Sequence, residues 1–350
     1  MTAPALRIVR AGLFDTLQDL GRIGFQELGM PTAGAMDSVA LRLANALVGN
    51  PDDTACLEIG VMGPEIRIEA DSARIAVVGP VAPVLTDVDG GAARPIEANR
   101  SHLLTRGQTV RVGMVDGVPV GYLAVAGGFA LAPFMGSLST YARAGIGGLD
   151  GRKLRDGDAL PLALADAPAR GELRLGAPFD YGAGPVRVVL GPQDDYFSAA
   201  GIAAFLSGPY VVTKEADRMG IRLEGPRVEH ANGADIASDG IAPGAIQVPG
   251  AGQPIVLLAD RQTVGGYTKI ATVISADLPR TCRLLPGQSV TFTAVDVATA
   301  ESARRALEIR IKAAVAGLVP ARPAGGIDLA ALHGANLIGG VAGPGMPGWD

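Results

Sequence analysis

Glycine interrupts this chain at short intervals, and that punctuation limits what it can fold into. Of 350 residues, 49 are glycine, about twice the ordinary share of roughly 7%. Glycine supplies the positive-φ turns that short strands need and weakens long helices. No Gly-X-Y period runs through the sequence, so a collagen-like rod is excluded. Glycine and proline together make 74 residues of 350, below the roughly 25–30% at which low-complexity disorder becomes the default. Apolar residues reach 48% while aromatics are 4%. The core is therefore expected to be Val, Ile, Leu and Ala on many short strands.

Charge and rare residues exclude further classes. The net charge of −5 does not suit a nucleic-acid partner, which calls for a basic surface. Lysine occurs at Lys153, Lys214, Lys269 and Lys312, against a background rich in arginine, so Lys269 inside a polar stretch is informative. Cys56 and Cys282 form no CxxC pair and no disulfide framework, which suits the cytoplasm. His102, His230 and His333 stand apart, without ligand or triad spacing. No metal site and no Cys–His or Ser–His–Asp catalysis is expected. Residues 1–10 lack the apolar core of a leader peptide. Residues 117–142 carry no charge and are long enough to span a bilayer, but they contain five glycines and two prolines. Two buried strands around a turn are expected there, and no membrane span.

Apolar runs bounded by Gly, Pro or Asp predict strands near residues 6–10, 74–78, 122–126, 186–190, 255–259, 270–274 and 290–293. A helix is expected from Asp37 or Ser38, both N-cap residues, with Val39, Leu43, Ala46 and Leu47 at helical spacing and Gly49 as its stop. Others are expected over residues 194–206 and 300–316, the latter ended by Gly317. A boundary is placed near residues 181–185, and residues 319–326 read as a linker. Residues 336–341 are expected to dock as a terminal strand, and the last residues to fray.

Four stretches combine glycine with fixed polar groups. The first runs from Gln18-Asp19-Leu20-Gly21-Arg22 to Gly34-Ala35-Met36-Asp37. It reads either as a turn and helix cap, or as an amide nest for an anion beside Arg22. In the second, Asp217-Arg218-Met219-Gly220, the acid and base are taken to lie on a strand, as a surface pair or as a site or domain-interface pair. The third is Ser238-Asp239-Gly240, a turn sequence, followed by Gln247 in an apolar run. Gln247 is either a satisfied core amide or a substrate reader. The densest is Asp260-Arg261-Gln262-Thr263-Val264-Gly265-Gly266-Tyr267-Thr268-Lys269. An apolar strand ends, polar side chains arrive, and the Gly265-Gly266 pair lets a ligand approach the backbone. Arg261 can grip a carboxylate with two donors, and Lys269 can act as a point charge. Asp277, after the next strand, is expected to face this site. No GxxxxGK[ST] phosphate loop exists, and Gly145 to Gly151 read as a hairpin loop.

Taken in order, and with Gly191-Pro192-Gln193 and Gln247-Val248-Pro249, these stretches resemble the allophanate hydrolase subunit 2 / KipA family, also called the biotin-dependent carboxyltransferase family. The resemblance runs from about Leu6 to Val341. One departure is visible: Thr281-Cys282-Arg283 stands where the family pattern has an apolar-Ala-Gln run, which leaves position 283 without the family's Gln. The resemblance implies a mainly β (α+β) fold, two cyclophilin-like β-barrel halves with a few short helices. The expected division is residues 1–184, 185–318, and a linker and tail over 319–350.

For function, the resemblance implies one component, the C subunit, of an ATP-dependent 5-oxoprolinase. Such a complex opens 5-oxo-L-proline to L-glutamate, and the other components are an A subunit and a B subunit of the KipI or allophanate hydrolase subunit 1 type. ATP is then bound somewhere in the complex. The alternatives it implies are a biotin-dependent carboxyltransferase of the urea or allophanate type, with biotin carried elsewhere, or a non-catalytic KipA-like partner of a KipI-type kinase inhibitor. Within the first reading, Arg261 holds a carboxylate or phosphoryl oxygen, Lys269 stabilises developing negative charge, and Asp239 or Asp260 orients or acts as base. Arg22, Asp217, Arg218, Ser238, Gln247, Gln262, Thr263, Gly265, Gly266 and Tyr267 are the expected substrate-binding set.

Overall fold

The computed structural model describes residues 3–321. Its architecture is mainly β, as expected, with a few helices laid against barrel-like sheets. The first sheet has six strands, in the order Ala159–Pro161, Ala5–Arg10, Glu65–Ile68, Thr109–Arg111, Val84–Thr86 and Ala93–Pro95. The second has seven: Phe14–Gln18, Cys56–Gly60, Val120–Val125, Ser72–Val78, Arg100–Thr105, Leu173–Arg174 and Val319–Pro320. Leu6, Ile8, Ile66 and Val110 of one sheet meet Leu57, Ile59, Ile75 and Leu123 of the other in a closed aliphatic core.

The third sheet has eight strands, ordered Ser289–Val290, Tyr210–Ala216, Gly220–Glu224, Ile255–Leu257, Ala245–Gln247, Lys269–Val273, Val186–Leu190 and Phe292–Ala294. Beside it stands a two-stranded sheet, Asp235–Gly240 paired with Val264–Tyr267.

Helix α1 (Ser38–Val48) begins where expected. Asp37 caps it, accepting from Val39 N at 3.1 Å and Ala40 N at 3.0 Å, and Gly49 ends it in the left-handed region at φ 82°. Val39, Leu43 and Leu47 face the second sheet at Ala76, Val78, Tyr122 and Ala124. The strand Val120–Val125 is therefore buried on both faces, which explains its unbroken apolar run. The same cluster continues into Val188, Ile246 and Ile270 of the third sheet, so one core joins both halves of the chain. Each fully buried Leu or Val contributes about 1.5–3 kcal/mol relative to exposure.

The expected helix over 194–206 is shorter. A 3-10 turn covers Asp194–Tyr196, Phe197 is extended, and α2 (Ala199–Ser207) starts afresh under Ser198, whose Oγ accepts from Gly201 N at 2.9 Å. A one-turn helix, α3, covers Leu278–Thr281, and α4 (Val297–Ala316) starts one turn earlier than expected, under Asp296. Arg42 of α1 forks onto Glu308 of α4, with Nη1 at 2.9 Å and Nη2 at 2.6 Å.

Two expectations on organisation change. Residues 117–142 hold one central strand, not two; after it the chain runs through turns and isolated bridges. Val319–Pro320 is not linker but an edge strand, pairing with Leu173–Arg174. The docking strand expected at 336–341, the rest of the expected linker, the tail and His333 lie outside the described residues. No helix among the described residues is long and apolar enough to cross a membrane.

Candidate functional site

The expected site residues fall into three clusters. The first is a buried charge network built on Arg218. This arginine does not lie on a strand, contrary to expectation, but in the turn between Tyr210–Ala216 and Gly220–Glu224. Asp217 makes that turn, with Oδ1 accepting from Met219 N at 2.8 Å and Gly220 N at 3.2 Å. Backbone bonds lock the turn to the next one: Asp260 N donates to Arg218 O at 2.8 Å and Leu258 N to Met219 O at 2.9 Å.

The Arg218 guanidinium grips Asp260 with Nε at 2.9 Å and Nη2 at 2.8 Å. Nη2 also donates to Gly34 O at 2.7 Å, and Nη1 donates to Glu58. Burial opposes the charge on Arg218, but Glu58 and Asp260 more than offset it and raise its pKa. Glu58 sits mid-strand opposite Tyr122. Its Oε2 accepts from Tyr122 Oη at 2.6 Å and Met36 N at 2.8 Å, while Tyr122 Oη accepts from Asp37 N at 2.8 Å. Burial pushes the Asp37 carboxyl up, and Ala40 N, Arg283 and Tyr181 work against that shift. Tyr181 Oη donates to Asp37 Oδ2 at 2.7 Å, as does Arg283 Nη1 at 2.8 Å. The position where the family Gln is missing thus carries an ion pair to the α1 cap.

Glu58, Arg218 and Asp260 line a cleft of about 790 Å³ whose walls are mostly apolar, including Met36, Val115, Pro119 and Met219. That volume lies within the roughly 300–1,000 Å³ of small-molecule sites. Cys282 also lines it, but burial pushes the thiols of Cys56 and Cys282 up, so neither supplies a thiolate.

The second cluster stands at the two-stranded sheet. Ser238-Asp239-Gly240 was expected as a turn; it is the end of the strand Asp235–Gly240, held by Asp239↔Gly265 and Gly240↔Val264 pairing. Lys269 is almost wholly buried, at 2% side-chain exposure, and its Nζ donates to Asp239 Oδ2 at 2.8 Å, while Asp239 is 53% exposed. The Lys269 hydrogen bond, with Gly240 N and Gln193, holds the Asp239 carboxyl below its usual range. Gln193 Nε2 donates to the same oxygen at 3.2 Å. Gln247 lies opposite Lys269 in the sheet, and its Nε2 is buried without a partner. A Cβ on Gly265 would stand 2.8 Å from that nitrogen and 2.7 Å from Ile241 Cδ1, so only glycine fits against the amide. Gln247, Gln262 and Tyr267 line a second cleft of about 530 Å³. Both clefts share Arg143, Asp217 and Met219, so the turn at 217–219 is their common wall.

The third cluster is a brace. Arg22 is fully buried, with Nε donating to Phe134 O at 3.2 Å and Nη2 to Ser139 O. Burial lowers its pKa. Asp19 accepts from Ser137 Oγ at 2.7 Å, Ser139 Oγ at 2.5 Å and Leu138 N at 2.6 Å, which fixes the same loop. Gly147, from the expected hairpin loop, packs here too; a Cβ would lie 2.1 Å from Ser139 O. Arg22 lines neither large cleft.

Arg261 is also buried, and its Nε and Nη1 donate to Ile241 O at 3.1 Å and Leu258 O at 3.2 Å. Burial pushes it down to about 10. It lines a separate hollow of about 240 Å³, away from Lys269. Thr263 is buried beside Ile241, its carbonyl accepting from Ile241 N at 2.9 Å. Ser238 Oγ lies 3.9 Å from where a Gly266 Cβ would stand. Asp277 does not face this site: Arg187 forks onto it at 2.6 Å and 3.1 Å, and Arg280 adds 2.9 Å.

The sequence reading missed Glu58, Tyr122, Tyr181 and the ion pair of Arg283. Glu58 left one signal, a lone charge inside the buried strand Cys56–Gly60. Gln193 appeared in a motif without a role.

The mainly β chain thus carries two clefts that share the turn at 217–219, and buried ion pairs line the larger one. Residues 28–294 match the family model of the carboxyltransferase domain, subdomain A and B, and the chain belongs to that family. It is 37% identical over 306 residues to the 5-oxoprolinase C subunit of Escherichia coli, covering 86% of this chain and 94% of that protein. The protein of the same name from Haemophilus influenzae is 35% identical over 298 residues, covering 84% and 92%. Among solved structures, the urea amidolyase of Kluyveromyces lactis superposes with a TM-score of 0.79 at 28% identity. That match covers 89% of this chain but spans a fifth of that much longer protein, at 20%.

Proposed function

We propose that this chain is the C subunit of an ATP-dependent 5-oxoprolinase, working with the A and B subunits to open 5-oxo-L-proline to L-glutamate. One observation carries the reading: the similarity to two proteins of that name extends over nearly their whole lengths.

The lactam is an unreactive amide, so opening it calls for charge stabilisation on its oxygen and a placed proton-transfer group. In this reading Lys269, desolvated and fixed, supplies the positive charge that receives the carboxylate of the substrate. Gln247 and Gln262 read the amide and carboxylate edges, with Gly265 and Gly266 allowing close approach and Tyr267 at the rim. Asp260, clamped by Arg218, orients the wall between the clefts. Arg261 and Arg22 act from behind as braces through the donors that serve carbonyls of the chain, and each keeps one buried nitrogen, Arg261 Nη2 and Arg22 Nη1, without a partner.

Neither the N-termini of the long helices nor a phosphate loop is open to a triphosphate among the described residues. The N-termini of α1, α2 and α4 are occupied by Asp37, Ser198 and Asp296 of the chain itself. Two of these three caps are acidic, and no phosphate loop exists. In this reading the nucleotide is bound by the partner proteins. A second reading, carboxyl transfer to a urea-like acceptor, is favoured by the urea amidolyase likeness; the 790 Å³ cleft has room for a carrier-borne ring.

Reconstitution tests the choice. The chain purified with its A and B partners should release glutamate and phosphate from 5-oxoproline and ATP. An intact complex that shows no ATP-dependent turnover refutes it.

A further inference from the structure

Lys269 presents a specific problem. An ammonium 2% exposed has to be compensated. The compensating carboxylate, Asp239, sits on a strand whose partner is the one other strand of a two-stranded sheet. Five of the six residues Asp235–Gly240 are exposed, and no residue of Val264–Tyr267 is buried. The flap is anchored at its ends, where Ile241, Thr263 and Thr268 are buried, and between those ends the Asp239 carboxylate ties it to Lys269 and Gln193.

Behind that carboxylate the groups are donors. Lys269 Nζ lies at 2.8 Å and Gln193 Nε2 at 3.2 Å from Asp239 Oδ2. Gln247 Nε2, buried on the neighbouring strand opposite Lys269, has no acceptor. The register shifts between Ile246 and Gln247, and the Gln247 amide reaches the flap, since a Cβ on Gly265, the residue paired with Asp239, would stand 2.8 Å from its Nε2. Gln193 is fixed: its Oε1 accepts from Lys269 N at 3.1 Å and its backbone N donates to Lys269 O at 3.1 Å. An ammonium and two amides converging without a second acid are the chemistry of a carboxylate-binding subsite.

We infer that Lys269, Gln193 and Gln247 form a carboxylate-binding subsite, and that Asp239 is a tethered stand-in that an incoming carboxylate displaces. Opening moves the exposed flap and leaves the eight-stranded sheet in place. A tethered carboxylate competes by its effective concentration, so the chain binds a monocarboxylate more weakly than its subsite allows. Gln193 is a positioning residue that holds both the lysine backbone and the carboxylate. The choice of 5-oxoproline as first probe rests on the proposed function; the subsite itself does not.

Calorimetric titration of the full chain tests this, using 5-oxo-L-proline, acetate and 2-pyrrolidinone, which has the ring without the carboxylate. Asp239→Asn should bind 5-oxo-L-proline roughly tenfold more tightly than the wild type, and Asp239→Ala should gain in the same direction. Lys269→Gln should abolish the gain when combined with Asp239→Asn. Affinity for 2-pyrrolidinone should not respond to position 239. The inference is overturned if both Asp239 variants, folded by circular dichroism, bind every carboxylate no better than the wild type, if no variant binds any of them, or if 2-pyrrolidinone gains equally. If acetate gains and 5-oxo-L-proline does not, the subsite stands and the assigned substrate falls.

Discussion

Replacing Arg218 by Met should be among the most damaging single changes in the chain. The side chains involved are 10% exposed for Arg218, 3% for Glu58 and 10% for Asp260. Losing the guanidinium leaves two carboxylates desolvated, and Gly34 O without its donor. Removing one partner of a buried pair costs about 3–5 kcal/mol, because the remaining charge is uncompensated. Urea unfolding of wild type and Arg218→Met at pH 8 gives the difference directly. The triple variant Arg218→Met, Glu58→Gln, Asp260→Asn removes the charges together and should recover roughly half or more of the loss. A single variant within about 1 kcal/mol of wild type at pH 8, or a triple variant no better than the single, refutes the reasoning.

Three further outcomes are expected. Burial pushes the Asp15 carboxyl up to about 7, despite its bond from Gly12 N; the folded chain therefore keeps a proton that the unfolded chain releases near pH ~3.9. Stability should fall on the order of 3–4 kcal/mol between those pH values and level off above them. Asp15→Asn should lack that fall, and parallel unfolding profiles for the two proteins from pH 4 to 8 would count against it. Gly265→Ala places a methyl 2.7 Å from Ile241 Cδ1 and 2.8 Å from Gln247 Nε2. It should cost about 1–3 kcal/mol by overpacking and weaken carboxylate binding, read by denaturation and calorimetry. Glu308→Gln cuts a fork at the edge of α1 and α4, where the Arg42 and Glu308 side chains are 10% and 30% exposed. Its cost should be roughly 0.5–1 kcal/mol, and raising salt to 1 M should erase much of the difference between the two proteins.

Sequence patterns carry different parts of the molecule unequally. Helix α1 was legible because its determinants are local: Asp37 and Gly49 act within one turn of the helix they bound. The strand Val120–Val125 was legible because burial on both faces leaves an unbroken apolar run. Ser238-Asp239-Gly240 was misread for the opposite reason. Its composition favours a turn, but Gly265 and Val264 supply a partner strand, and pairing overrides a local preference of a few tenths to 1 kcal/mol. Glu58 escaped because its meaning lies 160 positions away in Arg218, and no spacing rule connects them. Arg261 looked like a substrate grip from its neighbours in sequence. Its Nε and Nη1 instead close on Ile241 O and Leu258 O, which depends on chain reversal around residues 241–258, and its Nη2 stays buried without a partner. Gln247 was left between core amide and substrate reader, and its Nε2 is buried without a partner.

The chain of bonds from Asp37 to Asp260 has a consequence for how the polypeptide can be cut. Glu58, Asp37 and Arg42 belong to the first half of the sequence, while Arg218, Arg283 and Glu308 belong to the second. Each half carries the counter-ions of the other, and the aliphatic cluster around α1 is likewise divided between them. A fragment made alone would display unmatched charge beside bare hydrocarbon, a poor recipe for solubility. Two fragments made in the same cell would each supply what the other lacks, so a nicked or split version of this protein should reassemble where neither piece survives by itself.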